Sequence, residues 1–193
     1  MLLYRLARQW RRVRVKRKGL RMDRLPEPQA TPPMLFGEPA TSALLPWSWA
    51  AGWLTDARNY WVAVVRADGR PHSRPLWAVW LQDGLWFTTG SPQLVRGLRS
   101  NPNVSVNLED GNEVVILEGT AEAVSDTADL ERFVAAYNAK YDHTAVVNGD
   151  AIADASGPIG PAYRIRPRVV FGWQSDMRDP TRWTFPAVSA SAP

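Results

Sequence analysis

Residues 60–89 read YWVAVVRADGRPHSRPLWAVWLQDGLWFTT, and their periodicity decides the fold. Side chains of a strand alternate between two faces, so a half-buried strand shows apolar residues at every second position. Residues 60 to 66 keep that period, and Ala67-Asp68-Gly69-Arg70 has the composition of a turn. Residues 71 to 80 make a second strand, Gln82-Asp83-Gly84 a second turn and residues 85 to 89 a third strand. Three strands joined by Asp-Gly turns are a meander of antiparallel pairs. Pro75 has no N–H to give a ladder, which puts its stretch at an edge, a bulge or a barrel corner.

Toward the C-terminus, Ser91-Pro92 starts a helix that runs to Ser100 and stops before Asn101-Pro102. Val104, Val106 and Leu108 alternate with Ser105, Asn107 and Glu109 in a fourth strand with one wet face. Asp110-Gly111-Asn112 turns into a fifth strand over residues 113 to 124, apolar enough at Val114-Val115-Ile116-Leu117 to be buried on both sides. Asp126, with Asp129 three residues on, opens a helix whose one face carries Leu130, Phe133, Val134 and Tyr137. Residues 142 to 161, with Asn148-Gly149 and Gly157-Pro158-Ile159-Gly160-Pro161, read as a loop, hence a functional lid or a disordered segment. Residues 163 to 173 are a sixth strand, and residues 176 to 185 close the domain. On the N-terminal side, Leu45, Trp49, Trp53 and Leu54 have helical spacing within residues 44 to 58. The expected fold is mainly β, a six-stranded antiparallel barrel with flanking helices over residues 44 to 185.

The chain has 193 residues, 45% of them hydrophobic, and no cysteine. That length supports one core without staples, and the missing thiols exclude zinc–thiolate sites, redox pairs and cysteine nucleophiles. His72 and His143 are the only imidazoles, so no His-rich metal centre is expected. The net charge of +4 is unevenly spread: residues 1 to 24 hold ten Arg or Lys against Asp23 alone, and the remainder is net acidic. An acidic body argues against nucleic-acid binding by the folded domain. Residues 1 to 43 are read as a basic, Pro-rich leader, disordered or in part untranslated, since Met22 and Met34 both offer later starts. Leu3, Leu6, Trp10 and Val13 equally suit a cationic amphipathic helix on an anionic membrane surface, and RNA or another acidic partner is a further alternative. Residues 186 to 193 are read as a disordered tail. No apolar run reaches the length of a membrane span or a secretory core, so the cytoplasm is the expected compartment.

Nucleotide-fold, P-loop and hydrolase-elbow motifs are all absent. No catalytic acid–base pair stands out, and a substrate role for the loop residue His143 is the less favoured of its two readings. An anion site is better supported. The helix beginning at Ser91 offers free N–H groups and a partial positive charge, Thr88 and Thr89 add hydroxyls, and Arg96 and Arg74 add guanidinium forks. The alternative is that Ser91 only caps, and that Arg96 and Arg99 are a solvated helix face. Most of the ten tryptophans must be core or interface, and one or two beside a phosphate site would wall a planar cofactor.

The ordered series DGRPHSRPLW, DGLWFTTGS and VRGLRSNPNVSV resembles the pyridoxamine 5′-phosphate oxidase-like family, the split β-barrel flavin and deazaflavin oxidoreductases. The resemblance spans about residues 44 to 185. It implies a six-stranded split barrel, a homodimer, and a cofactor in the cleft between subunits. It also implies that the strand carrying Arg74, Pro75, Leu76 and Trp77 lines the cofactor, that Thr88 and Thr89 meet it, and that Ser91 and Arg96 hold its phosphate. Trp173 and Arg182, in FGWQSDMRDPTRW, resemble the family's residues that reach the cofactor from the other end. There are departures: lysines common in the family fall at Leu94 and Val79, and the histidine of pyridoxine-phosphate oxidases falls at Pro180. These weaken the anion site and disfavour vitamin B6 oxidation. The implied activity is hydride transfer to or from a small unsaturated molecule with coenzyme F420 or FMN. The alternative is a non-catalytic split barrel that binds flavin, haem or lipid.

Overall fold

The structure is a computed structural model that describes residues 24–186. The expectations for residues 1 to 23 and 187 to 193 lie outside the described residues. The elements follow in the order β1 (Gln29–Thr31), β2 (Met34–Leu35), β3 (Glu38–Pro39), α1 (Trp47–Asp56), β4 (Tyr60–Val65), β5 (Pro71–Leu76), β6 (Ala78–Leu81), β7 (Gly84–Thr88), α2 (Pro92–Ser100), β8 (Asn103–Leu108), β9 (Val114–Val124), α3 (Thr127–Tyr141), β10 (Val146–Asn148), β11 (Ala151–Asp154), β12 (Gly157–Gln174) and β13 (Arg178–Thr184). The caps read from sequence are in place. Ser91 Oγ accepts from the Leu94 N–H, and Asp126 Oδ1 accepts from the Asp129 N–H.

Antiparallel pairing runs β5-β4-β8-β9-β12, and β12 also pairs β7, which pairs β6. Because β5 passes into β6 through the single residue Trp77, this ring closes into a barrel. The expected second strand is therefore two, which change partner from β4 to β7 at that bend. Pro71 and Pro75 sit on β5, whose one ladder neighbour among the described residues is β4, the edge position that proline tolerates. The six strands expected from sequence all belong to the ring, but the described residues contain thirteen.

Three further expectations need correction. Residues 142 to 161 are not a loop. β10 and β11 form a hairpin, and β12 begins at Gly157, its Pro158 and Pro161 lying where β11 is its neighbour, before β7 and β9 join at Ala162; Pro167 sits further on, at a register shift against β9. The ordered sheet starts before residue 44, since β1 pairs β13 from Gln29↔Thr184 to Thr31↔Arg182. Finally, β9 is buried on one face only: Val115 and Leu117 are core, whereas Val114 and Ile116 are half-exposed. Among the described residues no helix is long and apolar enough to cross a membrane, and no group of three or more His, Asp or Glu side chains is placed to hold a metal ion.

Two apolar clusters fill the molecule. One occupies the barrel and is closed at one end by α1, whose Trp47 and Trp49 meet the fully buried Trp183. The other lies under α3, where Phe133 stacks on Trp86. Most tryptophans are thus packing residues. α1 can approach β12 only because position 172 has no side chain: a Cβ there would lie 2.8 Å from Trp49 Cζ3 and 3.0 Å from Trp183 Cζ3. Gly172→Ala should cost about 1–3 kcal/mol through overpacking. Gly52→Ala, on α1 with open space around it, should instead stabilise by about 0.5–1 kcal/mol. Urea unfolding of the two variants measures both, and equal signs would contradict the packing described.

Candidate functional site

Cross-strand partners share a face, so the register of β4 assigns every site residue to a side of the sheet. Tyr60, Val62 and Val64 are buried and point into the barrel, and their partners on β5 are Leu76, Arg74 and His72. β5 runs past the covered part of the core, leaving Arg74 exposed on that inner face. α2 packs on the same face, its Gly97 held so close to Val64 that a Cβ would meet Val64 Cγ2 at 2.8 Å. Arg74 and Arg96 therefore share one side of the β4–β5 ribbon, and neither pairs with a carboxylate among the described residues. Pro75 faces the other way, opposite Trp61.

The start of α2 does not offer the expected anion cradle in this chain. Thr88 Oγ1 donates to the Gly160 and Pro161 carbonyls at 3.1 Å, Thr89 Oγ1 accepts from the Ser91 N–H at 3.2 Å, and Ser91 Oγ is the cap. All three side chains are buried. Gly90 lies against the Ile159 carbonyl, so β12 covers the helix mouth. Leu94 and Val79, the positions of the missing lysines, are both core residues.

Trp173 and Arg182 lie elsewhere. Trp173 pairs with Val114, and a single row runs Trp61–Asn107–Ile116–Phe171–Arg182 across five strands. Trp61 is opposite in phase to Val62, so this row is the outer face. The sheet separates Trp173 and Arg182 from Arg74, and one chain does not bring them together.

Trp77, at the bend, stacks on Tyr141 with centroids 4.6 Å apart and planes 3° from parallel. His143 meets Trp77 edge-on at 6.0 Å, and its Nε2 lies 3.1 Å from Asp154 Oδ2. Hydrogen bonds from Ser156 and His143 hold the Asp154 carboxyl below the usual carboxylate range. Sequence reasoning reached Trp77 and His143 but missed Tyr141, which the Phe133–Tyr137 spacing extended by four would have found. It also missed Asp154, inside the supposed loop. Lys140 went unnoticed too: its Nζ donates to the Tyr60 hydroxyl at 2.7 Å and the Thr55 carbonyl at 2.8 Å, and burial pulls it down to about 8.

The family model for pyridoxamine 5′-phosphate oxidase matches residues 50–174, the span of the barrel from α1 to the end of β12. The chain belongs to the pyridoxamine 5′-phosphate oxidase family. Solved structures of the same fold include a conserved hypothetical protein from Mycobacterium tuberculosis, 22% identical with a TM-score of 0.56, the match covering 71% of this chain and 89% of that one. They also include General Stress Protein 26 from Bacillus anthracis, 18% identical at 0.52, covering 71% and 96%. A third is an FAD-binding protein from Mesorhizobium loti, 19% identical at 0.51, covering 72% and 93%. At these identities the likeness is one of fold. No curated protein matches the chain. Of the expected phosphate donors, Arg74 and Arg96 have no carboxylate partner among the described residues, whereas Thr88, Thr89 and Ser91 are buried and hydrogen-bonded within the chain.

Proposed function

We propose that this family member is an oxidoreductase that binds FMN or the deazaflavin coenzyme F420, acts as a homodimer, and serves hydride transfer to or from a small unsaturated molecule. The observation that carries the reading is the pair Arg74 and Arg96, two guanidinium groups without acidic partners among the described residues, on the one face of the barrel left open beside α2. An arginine fork suits a phosphate better than a point charge does. The FAD-binding protein of shared fold lends family-level support. When bound, such a cofactor supplies the hydride chemistry, and the chain contributes position: Arg74 and Arg96 hold the phosphate, and Leu76 and Trp77 border the ring. Trp173 and Arg182 of a second copy complete the far side.

Titration of the purified protein with each cofactor, followed by tryptophan fluorescence, tests this. Saturable quenching by one of them is expected, and Arg74→Ala should weaken it about 10- to 100-fold, the worth of a charge-assisted hydrogen bond. No saturable quenching by either would overturn the reading. The buried Val79 and Leu94 favour a second reading, a carrier of flavin, haem or lipid without turnover. A bound cofactor that no acceptor reoxidises would select it.

A further inference from the structure

Beside α2, at the β4–β5 turn, lies a cavity of about 270 Å³ lined by Arg66, Asp68, Arg70, Gln93 and Arg96. Its charge is unbalanced. Asp68 is already taken by Arg70, which donates to it through Nη2 at 2.6 Å and Nε at 3.0 Å. Arg66 and Arg96 have no carboxylate among the described residues.

The hydrogen bonds sharpen the imbalance. Arg66 Nη2 lies 3.2 Å from His72 Nδ1. A guanidinium only donates, so Nδ1 is the acceptor, and an imidazole whose Nδ1 accepts carries its proton on Nε2. Both His72 Nε2 and Arg66 Nε are buried without a partner. Arg66, which lines the cavity, and His72 behind it thus each keep a buried N–H without an acceptor, a condition native proteins rarely keep. Both donors lack an acceptor, and the excess of arginine over carboxylate around the cavity favours one that carries negative charge.

We infer that this cavity is an anion subsite for a phosphate or carboxylate group, held by Arg66 and Arg96 with His72 behind them. His72 and Arg74 are two residues apart on β5, about 6.6 Å along the strand. The acidic group held here is a second one, adjoining the phosphate assigned to Arg74 and Arg96 and sharing Arg96 with it. The inference rests on the proposed function only for the ligand that carries the group, which is then a molecule with two anionic centres: either the cofactor itself or a substrate seated beside it.

The test follows the Arg Nε–Hε and His Nε2–Hε2 resonances of the full chain by NMR while inorganic phosphate, and separately glutarate, is added. Saturable shifts at Arg66 and His72 at millimolar phosphate are expected. Arg66→Met should weaken them about tenfold or more, and Arg74→Ala should leave them in place. Asp68→Asn, at an exposed ion pair that packing does not depend on, should tighten phosphate about twofold. Shifts that never saturate, or that survive Arg66→Met unchanged, overturn the subsite. If FMN or F420 alone moves the two resonances, the cofactor carries the second acidic group; if only glutarate added to the cofactor-bound protein moves them, the substrate does. Cofactor quenching that depends on Arg74 without any phosphate response at Arg66 removes the subsite and leaves the cofactor reading. Phosphate binding here with no cofactor quenching does the reverse.

Discussion

Asp83→Ala lowers the stability of the fold by about 3 kcal/mol, the lower end of the range for breaking a buried ion pair from one side. Asp83 was read as a turn residue, yet its side chain is only 6% exposed. Its Oδ2 accepts from Arg132 Nη2 at 2.7 Å and Arg164 Nη1 at 2.8 Å, and its Oδ1 accepts from Trp86 Nε1 at 3.0 Å and Arg132 Nη1 at 3.0 Å. Both guanidinium groups lie over the Trp86 ring, at 4.9 and 5.2 Å. Removing the carboxylate leaves two partly buried cations and an orphaned indole N–H around one aromatic face. The low end applies because Arg164 keeps Glu122 and Arg132 keeps Asp129. For a chain of this size about 3 kcal/mol is roughly a 10 °C drop in Tm. Urea unfolding at neutral pH measures it, and a loss below about 1 kcal/mol would mean that the network is solvated.

The same network sets an acid limit. Burial pushes the Asp83 carboxyl up, and the hydrogen bonds from Arg132, Arg164 and Trp86 more than offset this, holding it below its ordinary 3.8. A depressed carboxylate contributes stability that is fully present above its unfolded value and lost as pH falls through its folded one. The gap between wild type and Asp83→Ala should therefore be constant above about pH 5 and shrink below pH 4. A gap that widened on acidification would contradict the assignment.

Local signals were legible in the sequence and distant ones were not. The caps Ser91 and Asp126 and the turn at Asp68-Gly69 are decided within a few residues and are legible from their neighbours alone, whereas Pro75 narrows its stretch only to an edge, a bulge or a barrel corner. β12 was cut short because glycine and proline usually mark a loop. Its Pro158 and Pro161 are tolerated where it pairs only β11, which depends on partners far along the chain. The site divides in the same way. Arg74 could be assigned to the strand before the Asp83-Gly84 turn, whose hairpin brings it toward α2, while its place opposite Val62 comes from the register. Nothing near Thr88 announces that its hydroxyl is engaged by Gly160, 72 residues on, and nothing near Asp83 announces Arg132 and Arg164, 49 and 81 residues away.

Trp61→Glu should turn the protein into monomers and abolish cofactor quenching, although Trp61 lies on the opposite face of the sheet from α2 and Arg74. Trp61 and Val65 are 43% and 41% exposed, and Val114, Ile116, Phe171 and Trp173 extend the same outer face, half-exposed, across β9 and β12. In the row from Trp61 to Phe171 the one polar residue is the uncharged Asn107, as suits the centre of an interface, and Glu118, opposite Ser105, lies in the next row. An apolar run such as Val114–Leu117 is what a strand covered on both sides looks like, and in one chain only one side is covered. Edge pairing is an unsuitable route to assembly, because Pro71 and Pro75 interrupt the donors of β5. In the homodimer proposed above, a second copy laid face to face would cover the patch and would bring its own Trp173 and Arg182 round the β5 edge toward Arg74, which a single chain does not do. Mixing two binding-dead variants separates this arrangement from any site built within one chain. Arg74→Ala and Trp173→Ala homodimers each lack half of every site. In a randomly exchanged equal mixture half the dimers are mixed, each with one intact site, so about a quarter of all sites recover. A mixture that regains no quenching would place both residues in the same chain's site, or neither in any, and the composite cleft would have to be abandoned.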